Sequence, residues 1–371
     1  MNDLIPPLSS QGQILAHVNG CLGVITLNRP EALNALTLAM VRDMTVLLRH
    51  WATDPRVQAV VLLGAPRPGK GPVFCAGGDI RFMHQAALAG DPDLDAFFTE
   101  EYRLDHLIHT YAKPTLALME GFVMGGGMGL SQGAKLRVLT EHSRLAMPET
   151  RIGLFPDVGA GYFLGQCPGH IGEWLALTGT SIACDDAIEW GLGDVYVQSQ
   201  HMPGLVEALC HGDQPSAEHV VATVMERADL APPSNPDTAL ERIDRHFGQP
   251  TVAAILASLQ SEPNEWAQAT LQQLQGLCPT LLAVSLERLR RARSLTLAQQ
   301  MRAERDTMHH CFHARPLERC DAIEGIRALA IDKDHQPRWQ PARLAEVDAA
   351  EVEAFLSSPW APDAHPLADL A

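Results

Sequence analysis

Along the first 200 positions, short apolar runs rich in β-branched residues alternate with helix-like stretches. The runs are CLGVITLN (21–28), VQAVVLLG (57–64), TLALMEGFV (115–123) and KLRVLTEH (135–142); EALNALTLAMVRDMTVLLRHWAT (31–53) is an example of the helical kind. Runs of this length predict strands, and their alternation with helical periods predicts an α/β arrangement. Beyond about residue 200 the pattern turns mainly helical, as in LLAVSLERLRRARSLTLAQQMRAERDTM (281–308), and a looser stretch, ADLAPPSNPDTA, occupies 228–239. The expected organisation is a core over 1–200 and a mainly helical C-terminal region over 201–371, with a soft boundary at about 200–230. No internal repeat or low-complexity tract stands out, so a repeat architecture is not supported.

Composition narrows the function classes. With 371 residues, 46% of them hydrophobic, the chain is able to bury a sizeable core. Its formal net charge of −16 disfavours nonspecific nucleic-acid or anionic-membrane binding, because both rest on clustered Lys and Arg. An anionic ligand would need a local basic patch. The opening MNDLIPPLSS has neither a basic n-region nor an apolar h-region, and no apolar run reaches the roughly 18 residues that a spanning helix needs. A soluble, cytoplasmic protein with no nucleic-acid and no membrane partner is expected. The eight cysteines are scattered, without a CxxC pair or a Cys/His cluster at zinc spacing, and read as reduced core residues. The 16 histidines show no spacing that points to a metal, so no metal site is expected.

Two glycine-rich turns open the chemistry. In VFCAGGDIRFM (73–83) the pair Gly77-Gly78 would let the backbone turn its N–H groups into a cavity. GFVMGGGMGLSQG (121–133) does the same, with Gly125, Gly126 and Gly127 leading into a predicted helix whose first N–H groups carry the positive end of its dipole. Two such donors aimed at one point form an oxyanion hole, which stabilises negative charge developing on a carbonyl oxygen. Taken singly, each run is more simply a tight turn or a close packing contact. Residues 129–133, GLSQG, also match the GxSxG nucleophile elbow. That elbow needs a strand running straight into the serine, whereas Ser131 follows GGGMGL inside the first turns of a helix and is expected to pack rather than react. No GK[ST] follows, so nucleotide triphosphate binding is not expected.

The segment AMPETRIGLFPDVGAGYF (146–163) sets two carboxylates, Glu149 and Asp157, among apolar residues, glycine and proline. Plain structural roles exist for both: Glu149 would pair with Arg151 or cap a helix, and Asp157 belongs to the residue types favoured at an N-cap. Glu101, in FFTEEYRLDHLI, would ordinarily be a solvated acid on an amphipathic helix.

In order along the chain, LNRPEALNAL (27–36), FCAGGDI (74–80), GGGMGL (125–130) and AMPETRIGLFPDVGAGYFL (146–164) resemble the crotonase (enoyl-CoA hydratase/isomerase) superfamily. CPTLLAVSLERLRRA (278–292) and DAIEGIRALAIDKDHQPRWQPARL (321–344) resemble the C-terminal segments of its hydrolase branch. The resemblance spans nearly the whole chain and is least diagnostic at about 200–275. It implies a crotonase-like β/α spiral core and an oxyanion hole made by the backbone N–H groups of Gly78 and Gly126, gripping the thioester carbonyl of an acyl-CoA. Hydratases of this superfamily use two glutamates. The first falls at Gly129 here and the second at Glu149, while Asp157 stands where hydratases usually carry glycine. Losing the first acid and gaining Asp157 resembles the hydrolase branch.

That exchange has a chemical reading. Syn hydration needs one group to deprotonate water and another to deliver a proton to the α-carbon, and one glutamate alone does this poorly. Thioester hydrolysis needs a single carboxylate near the carbonyl, acting either as nucleophile through an anhydride or as general base on water, with the oxyanion held. The expected reaction is hydrolysis of a short 3-hydroxyacyl-CoA, foremost 3-hydroxyisobutyryl-CoA in valine breakdown. Glu149 would be catalytic, Asp157 would hold the 3-hydroxyl and Glu101 would lie near the substrate. Arg29 would face a CoA phosphate, whereas Arg81 reads equally as an ordinary surface charge. Apolar surroundings imply a raised pKa for at least one acid. No cofactor is implied, coenzyme A being part of the substrate, and homo-oligomerisation is left open. One alternative is a hydratase, isomerase or hydrolase acting on another acyl-CoA, which Gly129 argues against in its hydratase form. The other is a noncatalytic binding role, which the intact pair Glu149 and Asp157 argues against.

Overall fold

The computed structural model describes residues 4–210, 216–234 and 240–371; the first three residues and the last five of the 228–239 stretch lie outside the described residues. Among the described residues there are eight strands: β1 (Ile14–Asn19), β2 (Leu22–Leu27), β3 (Ala59–Gly64), β4 (Thr115–Met119), β5 (Phe122–Met124), β6 (Leu136–Leu139), β7 (Arg144–Ala146) and β8 (Val195–Tyr196). Six of them form one sheet in the order β1-β2-β3-β4-β6-β8, and β5 pairs with β7. β1 and β2 make an antiparallel hairpin with Ile14 opposite Leu27. Its two-residue turn starts at Gly20, φ +60°, a backbone state that glycine adopts without cost. The other pairings in this sheet are parallel. Parallel strands are covered on both faces, which is why LGVITL, AVVLLG and TLALM are almost uninterruptedly apolar.

Alternate residues of each strand feed opposite faces. Leu22, Val24, Ala59, Val61, Leu116, Leu118, Leu136, Val138 and Val195 join a buried cluster with Met202, Leu205, Leu209, Val220 and Val224. On the hairpin side, helix α1 (Leu38–Thr53) buries Met40, Val41, Met44, Leu47, Leu48 and Trp51, the three- and four-residue spacing of an amphipathic face. Thr37 caps it by accepting from Met40 N at 3.2 Å. The sequence dictates this contact closely: a Cβ at Gly23 would stand 2.6 Å from the Trp51 ring, so only glycine lets β2 carry that indole.

The chain divides into two compact units that interleave in sequence, Met1–Gly78, Arg103–Leu145 and Ile182–Asn235 in one, Asp79–Tyr102, Ala146–Ser181 and Pro236–Ala371 in the other. The division therefore does not fall at residue 200, although no strand follows Tyr196 among the described residues. The second unit is mainly helical. Its Leu297–His313 helix starts in a capping box, with Gln299 N donating to Thr296 Oγ1 at 3.3 Å and Thr296 N donating to Gln299 Oε1 at 2.9 Å. The eight cysteines are free, seven of them buried. No helix among the described residues is long and apolar enough to cross a membrane.

Candidate active site

The first unit supplies two glycine turns side by side. The chain from Val73 to Gly78 is gripped from two directions. Leu36 N donates to Gly77 O at 2.8 Å and Ala76 N to Leu33 O at 3.0 Å on one side; Cys75 N donates to Phe122 O and Met124 N to Cys75 O, both at 2.9 Å, on the other. Asn34, buried and itself in a left-handed conformation at φ +55°, holds this arrangement. Its Nδ2 donates to Ala65 O, Val73 O and Phe74 O, while its Oδ1 accepts from Arg29 N at 2.9 Å. Gly77 has φ +96°, and a Cβ there would lie 3.2 Å from Met124 O and 3.5 Å from Gly126 N. The two runs singled out in the sequence thus meet at Gly77.

Each glycine of the triplet has its own reason. Gly125 adopts φ +49°, ψ −121°, a combination open to glycine. Gly126 begins helix α4 (Gly126–Gln132), so its N–H is one of the donors that a helix start leaves unpaired within the helix. Gly127 packs against Cys75, where a Cβ would fall 2.4 Å from the carbonyl oxygen. Ser131 lies inside α4, fully buried, its hydroxyl donating to Gly127 O at 2.9 Å and to Met128 O at 3.2 Å. It is a helix-interior serine bonding back to its own turn, not a residue at the tip of a strand.

The second unit gathers four acids. Helix α3 (Asp93–His109) carries Glu101 and Tyr102, both buried. Glu149 starts a 3-10 turn, Glu149–Ile152, closed by Gly153 at φ +71°. C-terminal segments fix that turn: Cys278 N donates to Thr150 O, a Cβ at Gly153 would fall 2.1 Å from Asp321 O, and a Cβ at Gly325 would fall 2.4 Å from the Ile152 carbonyl carbon. Eight residues on, Asp157 accepts from Tyr102 Oη at 2.7 Å. It is followed by Val158 at φ +53°, a strained state for a β-branched residue. Helix α5 (Ala160–Leu164) begins immediately after; Ala160 N donates to the Asp157 backbone carbonyl at 2.9 Å, and the amides on either side are satisfied by the Glu304 carboxylate, not by the Asp157 side chain. Gly159 N donates to Glu304 Oε2 at 2.7 Å, Gly161 N to Oε1 at 3.3 Å, and Gln300 Nε2 to Oε1 at 2.6 Å. The cap role open to Asp157 in the sequence therefore belongs to Glu304, which leaves the Asp157 carboxylate with Tyr102 as its side-chain donor.

The plain roles of the other two acids also fail. Glu149 is 6% exposed with Oε2 lacking a hydrogen-bond partner, whereas Arg151 is exposed. Glu101 is 2% exposed, not solvated, and its Oε1 is likewise without a partner. Burial raises all of these carboxyls. Glu101 and Glu149 stand well above the usual range, through burial first and the Asp157 charge second. Asp157 is pushed up to about 7 by burial, against the lowering pull of the Tyr102 hydrogen bond. Glu304 is also raised by burial to about 7, against its amide donors. Unpaired acids crowded in an apolar interior are a signature of a functional site, since a folded core otherwise avoids them.

The remaining sequence candidates fall outside this cluster. Arg29 is half-buried with Nη1 donating to Ala35 O at 2.6 Å, so part of its fork is committed to its own turn, and Arg81 is exposed. Tyr102, Glu304 and Asn34 were not legible as site residues. Tyr102 adjoins a candidate acid, but nothing in the sequence couples it to Asp157.

The profile of the family described as enoyl-CoA hydratase/isomerase matches residues 22–356. The 3-hydroxyisobutyryl-CoA hydrolase, mitochondrial, of Xenopus tropicalis is 38% identical over 352 residues, covering 94% of this chain and 89% of the relative. That of Homo sapiens is 38% identical over 352 residues, covering 93% and 89%. Among solved structures, a carnitinyl-CoA dehydratase from Mycobacterium thermoresistibile superposes with a TM-score of 0.87 at 35% identity, covering 96% of this chain and 99% of that one. An enoyl-CoA hydratase from Rhodobacter sphaeroides 2.4.1 gives 0.83 at 37% identity, covering 94% and 98%. The names these relatives carry divide between a hydrolase and a hydratase or dehydratase.

Proposed function

Because the chain belongs to the enoyl-CoA hydratase/isomerase family, with the crotonase-type fold, we propose that it hydrolyses the thioester of 3-hydroxyisobutyryl-CoA, or a similar short 3-hydroxyacyl-CoA, to the free acid and coenzyme A. The observation that carries this reading is the set of acids: Gly129 in α4 where hydratases hold their first glutamate, against buried Glu149 and Asp157. The curated relatives named as hydrolases support it across nine-tenths of the chain. In the proposed reaction the thioester oxygen accepts from Gly78 N and Gly126 N. The Glu149 carboxylate either attacks the carbonyl carbon or takes a proton from the attacking water. The C–S bond breaks as the tetrahedral intermediate collapses, and CoA leaves as the thiol after gaining a proton. On the nucleophilic route the one water consumed enters at this point: it opens the Glu149 anhydride, releases the free acid and restores the carboxylate. Asp157 takes the substrate's 3-hydroxyl, the contact that would distinguish this substrate from its deoxy analogue.

Hydration is the second reading, favoured by the solved relatives described as hydratase and dehydratase. A panel of acyl-CoA thioesters separates the two, assayed for thiol release and, independently, for loss of the enoyl chromophore. Thiol release from 3-hydroxyisobutyryl-CoA without chromophore loss from enoyl-CoA is expected. The converse pattern would overturn the proposal. A role in valine breakdown and a cytoplasmic setting belong to the same proposal; the vertebrate relatives are named mitochondrial, and fractionation of the source cells tests the setting.

A further inference from the structure

His309 and His313 stand four residues apart on the Leu297–His313 helix, hence on one face, and Asp95 reaches them from the first turn of α3. His313 Nε2 lies 3.0 Å from Asp95 Oδ2 and His309 Nδ1 lies 3.5 Å from Asp95 Oδ1. One donor atom from each of the three residues falls within 4.8 Å of the others, and the two imidazoles stack at 4.3 Å. The His313 contact is an ordinary hydrogen bond as it stands, whereas the longer His309 contact has the spacing of two ligands on one ion. A tetrahedral ion with donors at about 2.0–2.1 Å sets those donors about 3.3–3.5 Å apart. Asp95 Oδ1 already lies at that distance from His309 Nδ1, a buried atom that has no well-formed hydrogen bond in this geometry.

The surroundings are built to hold the donors. Arg305, almost fully buried, contacts Asp95 Oδ1 through Nη2, the kind of outer hydrogen bond that orients a ligating carboxylate, and leaves Oδ2 toward His313. Arg305 also lies over the Trp360 ring at 5.0 Å, and Trp360 packs against the His309 ring at 4.8 Å, walling one side. Asp95 and His313 keep about two-fifths of their side chains exposed, which provides an entry path.

We propose that Asp95, His309 and His313 form a binding site for a divalent transition metal of the zinc class, with a fourth position left to water. Imidazole and carboxylate donors in this number fit zinc, and a protein carrying −16 charges draws cations toward it. The bound ion would tie α3, which carries Glu101 and Tyr102, to the helix that carries Glu304, so it would brace two of the elements that position the acids. The sequence hides the site because the i, i+4 histidine pair acquires its third ligand from a residue more than two hundred positions away.

The test is calorimetric titration of Zn²⁺ into the chelator-treated full chain, in a non-coordinating reductant that keeps the eight thiols reduced. One equivalent is expected to bind, with affinity falling at least about tenfold in His313→Gln and in Asp95→Asn. His142→Gln, an exposed histidine of the first unit, should leave it unchanged. Zn²⁺ should raise the melting temperature of the wild type and not that of His313→Gln, because an ion bound only to the folded state shifts the unfolding equilibrium. His313 is a surface residue, so a melt of the metal-free variant near that of the wild type establishes that it folds. No stoichiometric binding at about 1 mM Zn²⁺, or binding that survives both substitutions, would overturn the site.

Discussion

Asp157→Asn tests whether the acid cluster is held at an energetic cost. The substitution keeps size and an oxygen for the Tyr102 hydroxyl, and removes the ionisable group. An acid whose folded-state pKa is raised binds more protons folded than unfolded, so its contribution to stability is fully present below the unfolded pKa and is lost as pH rises through the folded one. For Asp157 the window runs from 3.8 to about 7. At about 1.4 kcal/mol per pH unit this amounts to about 4 kcal/mol in all, and roughly 2–3 kcal/mol of it falls between pH 5 and pH 8. The wild type must carry that loss, and the asparagine variant must not. Relief of the neighbours acts in the same direction, because the Asp157 charge is the main electrostatic contribution raising Glu101 and Glu149 after burial itself. Urea unfolding at pH 5 and pH 8 on both proteins gives the four free energies needed. The variant is expected to gain at least about 2 kcal/mol on the wild type between the two pH values. Parallel pH dependences would mean that Asp157 is solvated in the folded protein and that its ionisation carries no burial cost.

Three further outcomes concern activity. Glu149→Gln keeps size while removing basicity and nucleophilicity, so kcat for thiol release should fall by roughly 10²- to 10⁴-fold with little change in binding, and a near-normal kcat would remove Glu149 from the chemistry. With both substrates assayed, Asp157→Asn should mainly erode the preference for a 3-hydroxyacyl-CoA over its deoxy analogue; an equal loss on both would move Asp157 from recognition into bond breaking. Ser131→Ala should stay within a few-fold of the wild type, since its hydroxyl bonds within α4, whereas a loss of about 10³-fold would mark a nucleophile.

What was legible in the sequence is what local physics controls. Parallel strands buried on both faces read as apolar runs, and β2, β3, β4 and β6 fall inside the four runs marked. The glycine turns were legible because positive φ and close backbone approach leave glycine as the residue that fits, as at Gly77 and Gly127. The partition into units was not, because segments 79–102 and 146–181 join helices that lie far along the chain. Glu304 was invisible for the same reason. It sits on a helix rich in charge, where a glutamate ordinarily faces solvent, and its partner Gly159 is 145 positions away. Glu101 shows the limit most sharply: in FFTEEY two adjacent glutamates look alike, yet only the second is buried, because helical rotation turns it inward with Tyr102 following.

The differences among the acids also couple their ionisation. Tyr102 donates to Asp157 and stabilises its charged form, whereas Glu149 Oε2 and Glu101 Oε1 have no donor at all. That contact favours the Asp157 carboxylate, and the Asp157 charge in turn holds the Glu149 proton more firmly. As Asp157 ionises, at about pH 7, its charge favours the protonated form of Glu149, whereas thioester attack requires the carboxylate. A 3-hydroxyl that donates to Asp157 spreads that charge into a hydrogen bond and weakens its hold on the Glu149 proton. Recognition of the hydroxyl and release of the catalytic carboxylate are then one event. A substrate lacking the hydroxyl would lose rate as well as affinity, with kcat depending more steeply on pH for the deoxy analogue than for the hydroxylated one.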